Sequence, residues 1–232
     1  QNGIAAEAYY SRSTQEGEEL NREVEERFRK NQLKVIVATI KLGMGYDKGD
    51  IAFVIHYQMP QNVVSYYQQI GRAGRNIDKA CIFLMYGKED EDILNYFINT
   101  AFPTESETAC LVNLIGDHDG IKIGQIRSAM NIRNGRIDKA LAFLLNDGFV
   151  RKEKSAYYLT PKRFVYDRNH YDAVTSIRRQ EMEQMKQLVK TKECYSRYIV
   201  SCLDDKTAAN CGHCTNCTGK ELYPSEVSAQ AT

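Results

Sequence analysis

Two short apolar runs, Lys34-Val35-Ile36-Val37-Ala38-Thr39 and Ile51-Ala52-Phe53-Val54-Ile55-His56-Tyr57, show no polar alternation. Runs of that length without a polar face are expected for strands covered on both sides in a parallel sheet. Between them lies Ile40-Lys41-Leu42-Gly43-Met44-Gly45-Tyr46-Asp47-Lys48, a loop with two glycines and an acid. Ligands collect at loops that follow the carboxyl ends of such strands. Upstream, Ala8-Tyr9-Tyr10 is strand-like, and Glu16 to Lys30 alternates acids and bases at helical spacing around Leu20, Val24 and Phe28. That is the pattern of a solvated helix with one core stripe. The first part of the chain is therefore expected to be α/β.

The pattern changes after residue 104. Glu105 to Gly116 is helix-like, Ile121-Lys122-Ile123 is a short strand, and Gln125 to Met130 makes a second helix. A third helix runs from Asn134 to Leu145, closed by Asn146-Asp147-Gly148, and two strands follow at Phe149 to Glu153 and Ala156 to Thr160. Three helices ending in a hairpin describe a winged helix. Farther on, Asp172 to Lys190 reads as a helix with Val174, Ile177, Met185 and Leu188 on one side, and Glu193 to Leu203 as its partner.

The chain has seven cysteines, four of them as Cys194 and then Cys211, Cys214 and Cys217 at Cys-x-x-Cys-x-x-Cys spacing. Four thiolates at tetrahedral reach describe a closed structural Zn²⁺ site. Cys202 and His213 are competing donors, and a disulfide framework is the rival reading; the odd number of cysteines favours a reducing compartment and hence the metal. Cys81 and Cys110 fall within apolar runs and are expected to be buried thiols.

In Gln68-Gln69-Ile70-Gly71-Arg72-Ala73-Gly74-Arg75 two arginines sit on a glycine-punctuated turn. Glycine lets the backbone come close to a ligand, and arginine stays charged at any working pH. The order resembles the arginine-finger motif of superfamily 2 helicases. Taken with Val-Ala-Thr, Gly-Met-Gly-x-Asp-Lys, Met59-Pro60 and Ser65-Tyr66-Tyr67, it closely resembles the second motor domain of RecQ-family DNA helicases over roughly residues 1 to 100. The cysteine spacing resembles the zinc-binding subdomain of the same family.

The resemblance implies an incomplete RecA-like parallel-sheet motor domain at 1–103, a winged-helix domain at 104–166, a helical zinc hairpin at 167–220 and a tail at 221–232. It implies that Gln68, Arg72 and Arg75 face the phosphates of ATP, with Arg75 as the finger, that Asp47, Gly43 and Gly45 lie at the nucleotide, and that Thr39 touches the nucleic-acid backbone. In the best-known relatives the winged helix follows the zinc module, whereas here it precedes it. Arg133, Arg136 and Lys139 at its third helix and Arg151, Lys152 and Lys154 in its wing are candidates for DNA contact on charge alone, against a role in packing or protein contact.

No Gly-x-x-x-x-Gly-Lys-[Ser/Thr] loop occurs in the 232 residues, so the groups that cradle the β- and γ-phosphates and Mg²⁺ are expected from elsewhere. The expectation is a carboxyl-terminal piece of a helicase that unwinds DNA 3′ to 5′ with ATP, inactive by itself and partnered by an amino-terminal RecA-like domain and by single-stranded, duplex or forked DNA. The alternative is a DNA-binding zinc module without a motor cycle. A net charge of +1 hides an asymmetry: residues 121–165 hold 10 Lys and Arg against 3 Asp and Glu, which suits a polyanion. With no membrane-length apolar run, the expected location is the cytoplasm, bacterial cytoplasm or nucleoid.

Overall fold

The computed structural model describes residues 4–43 and 47–220; Gly45 of the glycine loop and the tail at 221–232 lie outside the described residues. Two compact units emerge. One takes in the described residues up to Gly87 together with those from Met182 onward, and the other is Lys88–Glu181.

In the first unit, β1 (Ala6–Tyr9) pairs in parallel with β2 (Val35–Ala38), and β3 (Phe53–His56) pairs in parallel with β4 (Cys81–Leu84). These are two separate two-stranded ladders among the described residues. Helix α1 (Gln15–Arg29) connects β1 to β2. Thr14 starts it by accepting the Gly17 N–H at 3.1 Å, and acids in the first turn with arginines in the last suit its dipole. Of the expected stripe, Val24 is buried, but Leu20 is exposed and the buried neighbour is Asn21. The Asn21 amide donates to the Tyr10 carbonyl at 2.8 Å, so a polar residue ties helix to strand where an apolar contact was expected. Helix α2 (Val63–Ile70) lies between β3 and β4 in sequence.

The second unit opens with α3 (Lys88–Asn99) and then forms the winged helix: α4 (Glu105–Gly116), β5 (Ile121–Lys122), α5 (Ile123–Ala129), α6 (Asn134–Asn146), β6 (Val150–Glu153) and β7 (Ala156–Leu159). The sheet order is β5-β7-β6, antiparallel throughout. Its core joins Leu111 and Ile115 of α4, Ile126 of α5, Ile137, Leu141 and Leu144 of α6, and Ile121, Val150 and Tyr157 of the sheet. Gly148, at φ +72°, ends α6: its N–H reaches the Leu145 carbonyl and that of Phe149 the Leu144 carbonyl. Such a left-handed cap favours glycine. Cys110 is exposed rather than buried, because α4 turns Leu111 and Thr108 inward instead.

Helix α7 (Arg168–Lys190) starts four residues earlier than expected, and the division between the units falls within it. Its buried residues are Tyr171, Met182, Met185 and Leu188, while Ile177 is 55% exposed. Tyr171 is the early anchor, with its ring against Phe102, Phe143, Tyr166 and His170 at 4.9–5.3 Å. Helix α8 (Tyr195–Ser201) and the short α9 (Thr215–Thr218) are the last elements among the described residues. No described helix is long and apolar enough to cross a membrane.

Glu107 holds the winged helix at two points. It completes a capping box with Thr104 at the start of α4, and it receives Arg136 of α6, with Nε at 2.8 Å from Oε1 and Nη2 on Oε2. Burial pushes its carboxyl up, but the Arg136 and Thr104 hydrogen bonds outweigh that and hold it below the usual range. Replacing Glu107 with Ala is expected to cost about 2–3 kcal/mol in urea unfolding, as a partly buried pair and a cap are lost together. A carboxyl with depressed pKa stabilises the fold fully above the unfolded value of about 4.3, and that contribution disappears as pH falls through the folded value. Wild type should therefore lose stability over that acid window more steeply than the variant.

Candidate functional site

Helix α2 begins at Asn62, whose side chain accepts the Ser65 N–H at 2.8 Å, and it buries Val63 and Tyr66. It unwinds at Gly71 through a tightening turn in which the Gly71, Arg72 and Ala73 amides reach the Tyr67, Gln69 and Ile70 carbonyls. Gly74 then adopts φ +75°, a conformation that disfavours any side chain, and reverses the chain. The returning loop is fastened to the segment before β3: the Gly74 N–H donates to the Ile51 carbonyl at 3.0 Å and the Asn76 N–H to the Gly49 carbonyl at 2.8 Å. Gly49 is required by space, since a Cβ there would lie 2.2 Å from the Asn76 side chain.

This loop carries Arg72 and Arg75. Arg75 donates from Nε to the Gly71 carbonyl at 3.1 Å and from Nη1 to Asp47 Oδ1 at 2.6 Å. Burial, and then the charge of Arg75, lower the pKa of Arg72, so two guanidinium groups share one region of positive potential. Arg75 is 43% and Asp47 79% exposed at the side chain, which leaves the pair open to solvent. Gln68 is exposed on α2, one turn before the loop. Thr39 is exposed at the end of β2; its N–H extends the ladder to the Tyr9 carbonyl, and its hydroxyl faces the Lys41 amide at 3.5 Å. Gly43 ends the single 3-10 turn Ile40–Gly43. Lys48 is buried and bonds Asn31 at 2.6 Å and the Asp50 carboxylate, closing the end of α1 onto the same segment.

From the sequence, His56 reads as a satisfied polar residue rather than a catalyst, and it is buried and bonded to Gln69 across 2.8 Å. What the sequence does not name is its partner, a helical amide thirteen residues later.

The four cysteines meet. The sulfurs of Cys194, Cys211, Cys214 and Cys217 all lie within 4.8 Å of one another, and Cys214 and Cys194 are 4.0 Å apart. A tetrahedron with Zn–S bonds of about 2.3 Å needs sulfurs about 3.8 Å apart, so the set fits zinc, and all are free thiols rather than disulfides. The Cys211 amide points at the Cys194 sulfur at 3.2 Å and the Cys214 amide at the Cys211 sulfur at 3.4 Å. Burial raises the Cys211 thiol, but the His213 and Cys214 amides and the Ser196 hydroxyl bring it down to about 6. A thiolate is what the metal takes.

Cys194 occupies the N-cap of α8 rather than the helix itself, and Cys214 caps α9. Gly212, at φ +76°, makes the turn between Cys211 and Cys214, and Asn216 ties it down by donating to the Thr191 and Glu193 carbonyls. The two competitors lie otherwise: His213 Nδ1 is 2.7 Å from the Cys211 carbonyl, and Cys202 is the C-cap of α8, its N–H on the Tyr198 and Ile199 carbonyls. The residue after Cys194 also bears on helix α2. Burial and then Tyr195, the residue after Cys194, push the Tyr66 hydroxyl on α2 up to about 12.

In the winged helix the predicted cations divide. Arg136 is engaged by Glu107, and Lys139 donates to the Thr100 carbonyl at 2.5 Å, while Arg133 is exposed. In the wing, Arg151 pairs with Glu153 and lies 4.8 Å from the Tyr158 ring centroid, Lys152 lies 5.4 Å from that of Tyr157, and Lys154 turns the hairpin at φ +53°. All three are exposed.

Comparison with known families matches residues 1–77 to the helicase conserved C-terminal domain and residues 158–218 to the RecQ zinc-binding family. The parallel ladders, the arginine loop and the first of these matches define the carboxyl-terminal domain of a helicase. The ATP-dependent DNA helicase RecQ of Bacillus subtilis is 37% identical over 98 residues, covering 42% of this chain and 16% of that protein. That of Synechocystis is 27% identical over 226 residues, covering 93% of this chain and 44% of that protein. ATP-dependent DNA helicase Q1 of Pongo abelii is 42% identical over 88 residues, 38% of this chain and 13% of its own length. With its four-cysteine site, the chain resembles the carboxyl-terminal helicase region of RecQ-family proteins, spanning less than half the length of each of these relatives.

One zinc ion per chain is expected by elemental analysis. Cys214→Ser or prolonged chelation should unfold the segment from Met182 onward, because structural zinc supplies about 10–16 kcal/mol of apparent binding free energy in small modules. Metal-free protein with an unchanged thermal transition would contradict the assignment.

Proposed function

We propose that this chain forms the carboxyl-terminal part of a motor that couples ATP hydrolysis to 3′–5′ DNA unwinding. Arg75 and Arg72 meet the γ-phosphate, and the phosphate cradle and Mg²⁺ site come from a further RecA-like domain. What carries the reading is the arginine loop, with two guanidinium groups on a backbone fastened at both Gly74 and Asn76. A pre-placed positive pair with Arg75 exposed suits charge that develops on a transferring phosphoryl group. Gln68 and Asp47 are assigned to the same nucleotide, and Thr39 to the DNA backbone. In the complete helicase, Arg75→Ala should lower ATP turnover by about 10³–10⁵ while DNA affinity is retained. Near-normal turnover would remove Arg75 from the role.

DNA contact by the winged helix is assigned to the wing. The third helix has Arg136 and Lys139 in internal bonds, and Arg127 holds Asp138 at 2.8 Å, whereas Arg151, Lys152 and Lys154 are exposed and two of them are backed by tyrosine rings. Removing Lys152 and Lys154 together should weaken DNA binding and flatten the dependence of log affinity on log salt by about one slope unit per lost phosphate contact. Arg133→Ala should leave the slope close to wild type. The reverse ranking would move the contact to α6.

A further inference from the structure

One segment holds both sides of the arginine loop. Its start, Gly49 to Ile51, takes the returning amides of Asn76 and Gly74. Its end, His56, is 8% exposed, with Nε2 2.8 Å from Gln69 Oε1 and the ring centroid 4.9 Å from that of Tyr66. Gln69 lies in the last turn of α2, and its own carbonyl receives the Arg72 N–H at 3.4 Å. An extended chain covers about 17 Å from Ile51 to His56, so one stretch of backbone spans the loop it supports. The apolar contacts of Val63 and Tyr66 hold one face of α2 down. The His56–Gln69 bond adds a directional constraint at the last turn.

We propose that His56 is a positioning residue for Arg72 and Arg75: its bond to Gln69 fixes the end of α2 from which the loop departs, and so the aim of both guanidinium groups. This rests on the function proposed above. The groups against the imidazole are Tyr66 and Gln69 of α2 and the Phe83 backbone of β4, none of them a carboxylate. Burial lowers the histidine pKa, so at neutral pH a neutral ring meets a neutral amide. The carboxamide suits either ring tautomer, since it donates and accepts.

Gln69 is only partly buried, so its replacement leaves the core intact. In the complete helicase, Gln69→Ala should lower kcat by about 10- to 100-fold, the scale of a small misplacement of a catalytic group, with KM for ATP unchanged and the thermal transition lowered only by the loss of one partly buried hydrogen bond. Adding His56→Ala to Gln69→Ala should cost no further kcat, because both remove one interaction. In the chain itself, Gln69→Glu should raise the His56 titration midpoint followed by NMR, since a facing carboxylate favours imidazolium. An unmoved midpoint, or full kcat in Gln69→Ala, overturns the inference. Arg75→Ala run alongside separates the two failures: an inactive Arg75 variant beside a fully active Gln69 variant sinks the role of His56 alone. An active Arg75 variant sinks the function and this role with it.

Discussion

Two guanidinium groups three residues apart repel each other, and the loop that carries them keeps its shape because its backbone is hydrogen-bonded to a segment 23 to 27 residues earlier in the chain. The Gly74 and Asn76 amides, fixed on Ile51 and Gly49, contribute about 1 kcal/mol each by ordinary measure, but their consequence is geometric. They set where the loop returns, as the bond from His56 to Gln69 sets where it departs. The ion pair of Arg75 with Asp47 is too exposed to add much stability. Backbone amides and glycine conformations therefore hold the charged pair in place, with the Arg75–Asp47 contact open to solvent.

The inserted winged helix follows a different logic. Its excess of positive charge suggests a polyanion, yet Arg136 is spent on Glu107, Arg127 on Asp138, and Lys139 on a main-chain carbonyl. Glu107 shows why such pairs belong to the fold: one carboxylate caps α4 and receives α6. Charge counts along a chain overstate the free positive surface wherever acids of another element are brought close by folding. The wing escapes this in part, since a two-residue hairpin turn projects Lys154 away from neighbouring helices.

Much of the architecture was legible in the sequence because it is encoded locally. The unbroken apolar runs became β2 and β3, the changes of period marked all three helices and both wing strands, and Cys-x-x-Cys-x-x-Cys brought its sulfurs together as spacing alone requires. Misreadings arose where burial depends on a distant partner. Leu20 and Ile177 sit at helical spacing yet face solvent, and Asn21 is buried because the Tyr10 carbonyl needs a donor. Cys110 lies in an apolar run but on the outer face of α4. Contacts such as Asp47 with Arg75, or Arg136 with Glu107, join residues nearly thirty positions apart; no periodicity carries them.

The central claim is that this loop binds phosphoryl charge in the transition state through the planar fork of Arg75. The most direct measurement is the affinity of the complete helicase for ADP with a metal fluoride, which mimics the transferring phosphoryl group, relative to ADP alone. The account predicts a strong preference for the mimic in the wild type, lost in Arg75→Lys because an ammonium cannot present two parallel donors. A preference that survives intact in Arg75→Lys and Arg75→Ala would contradict it.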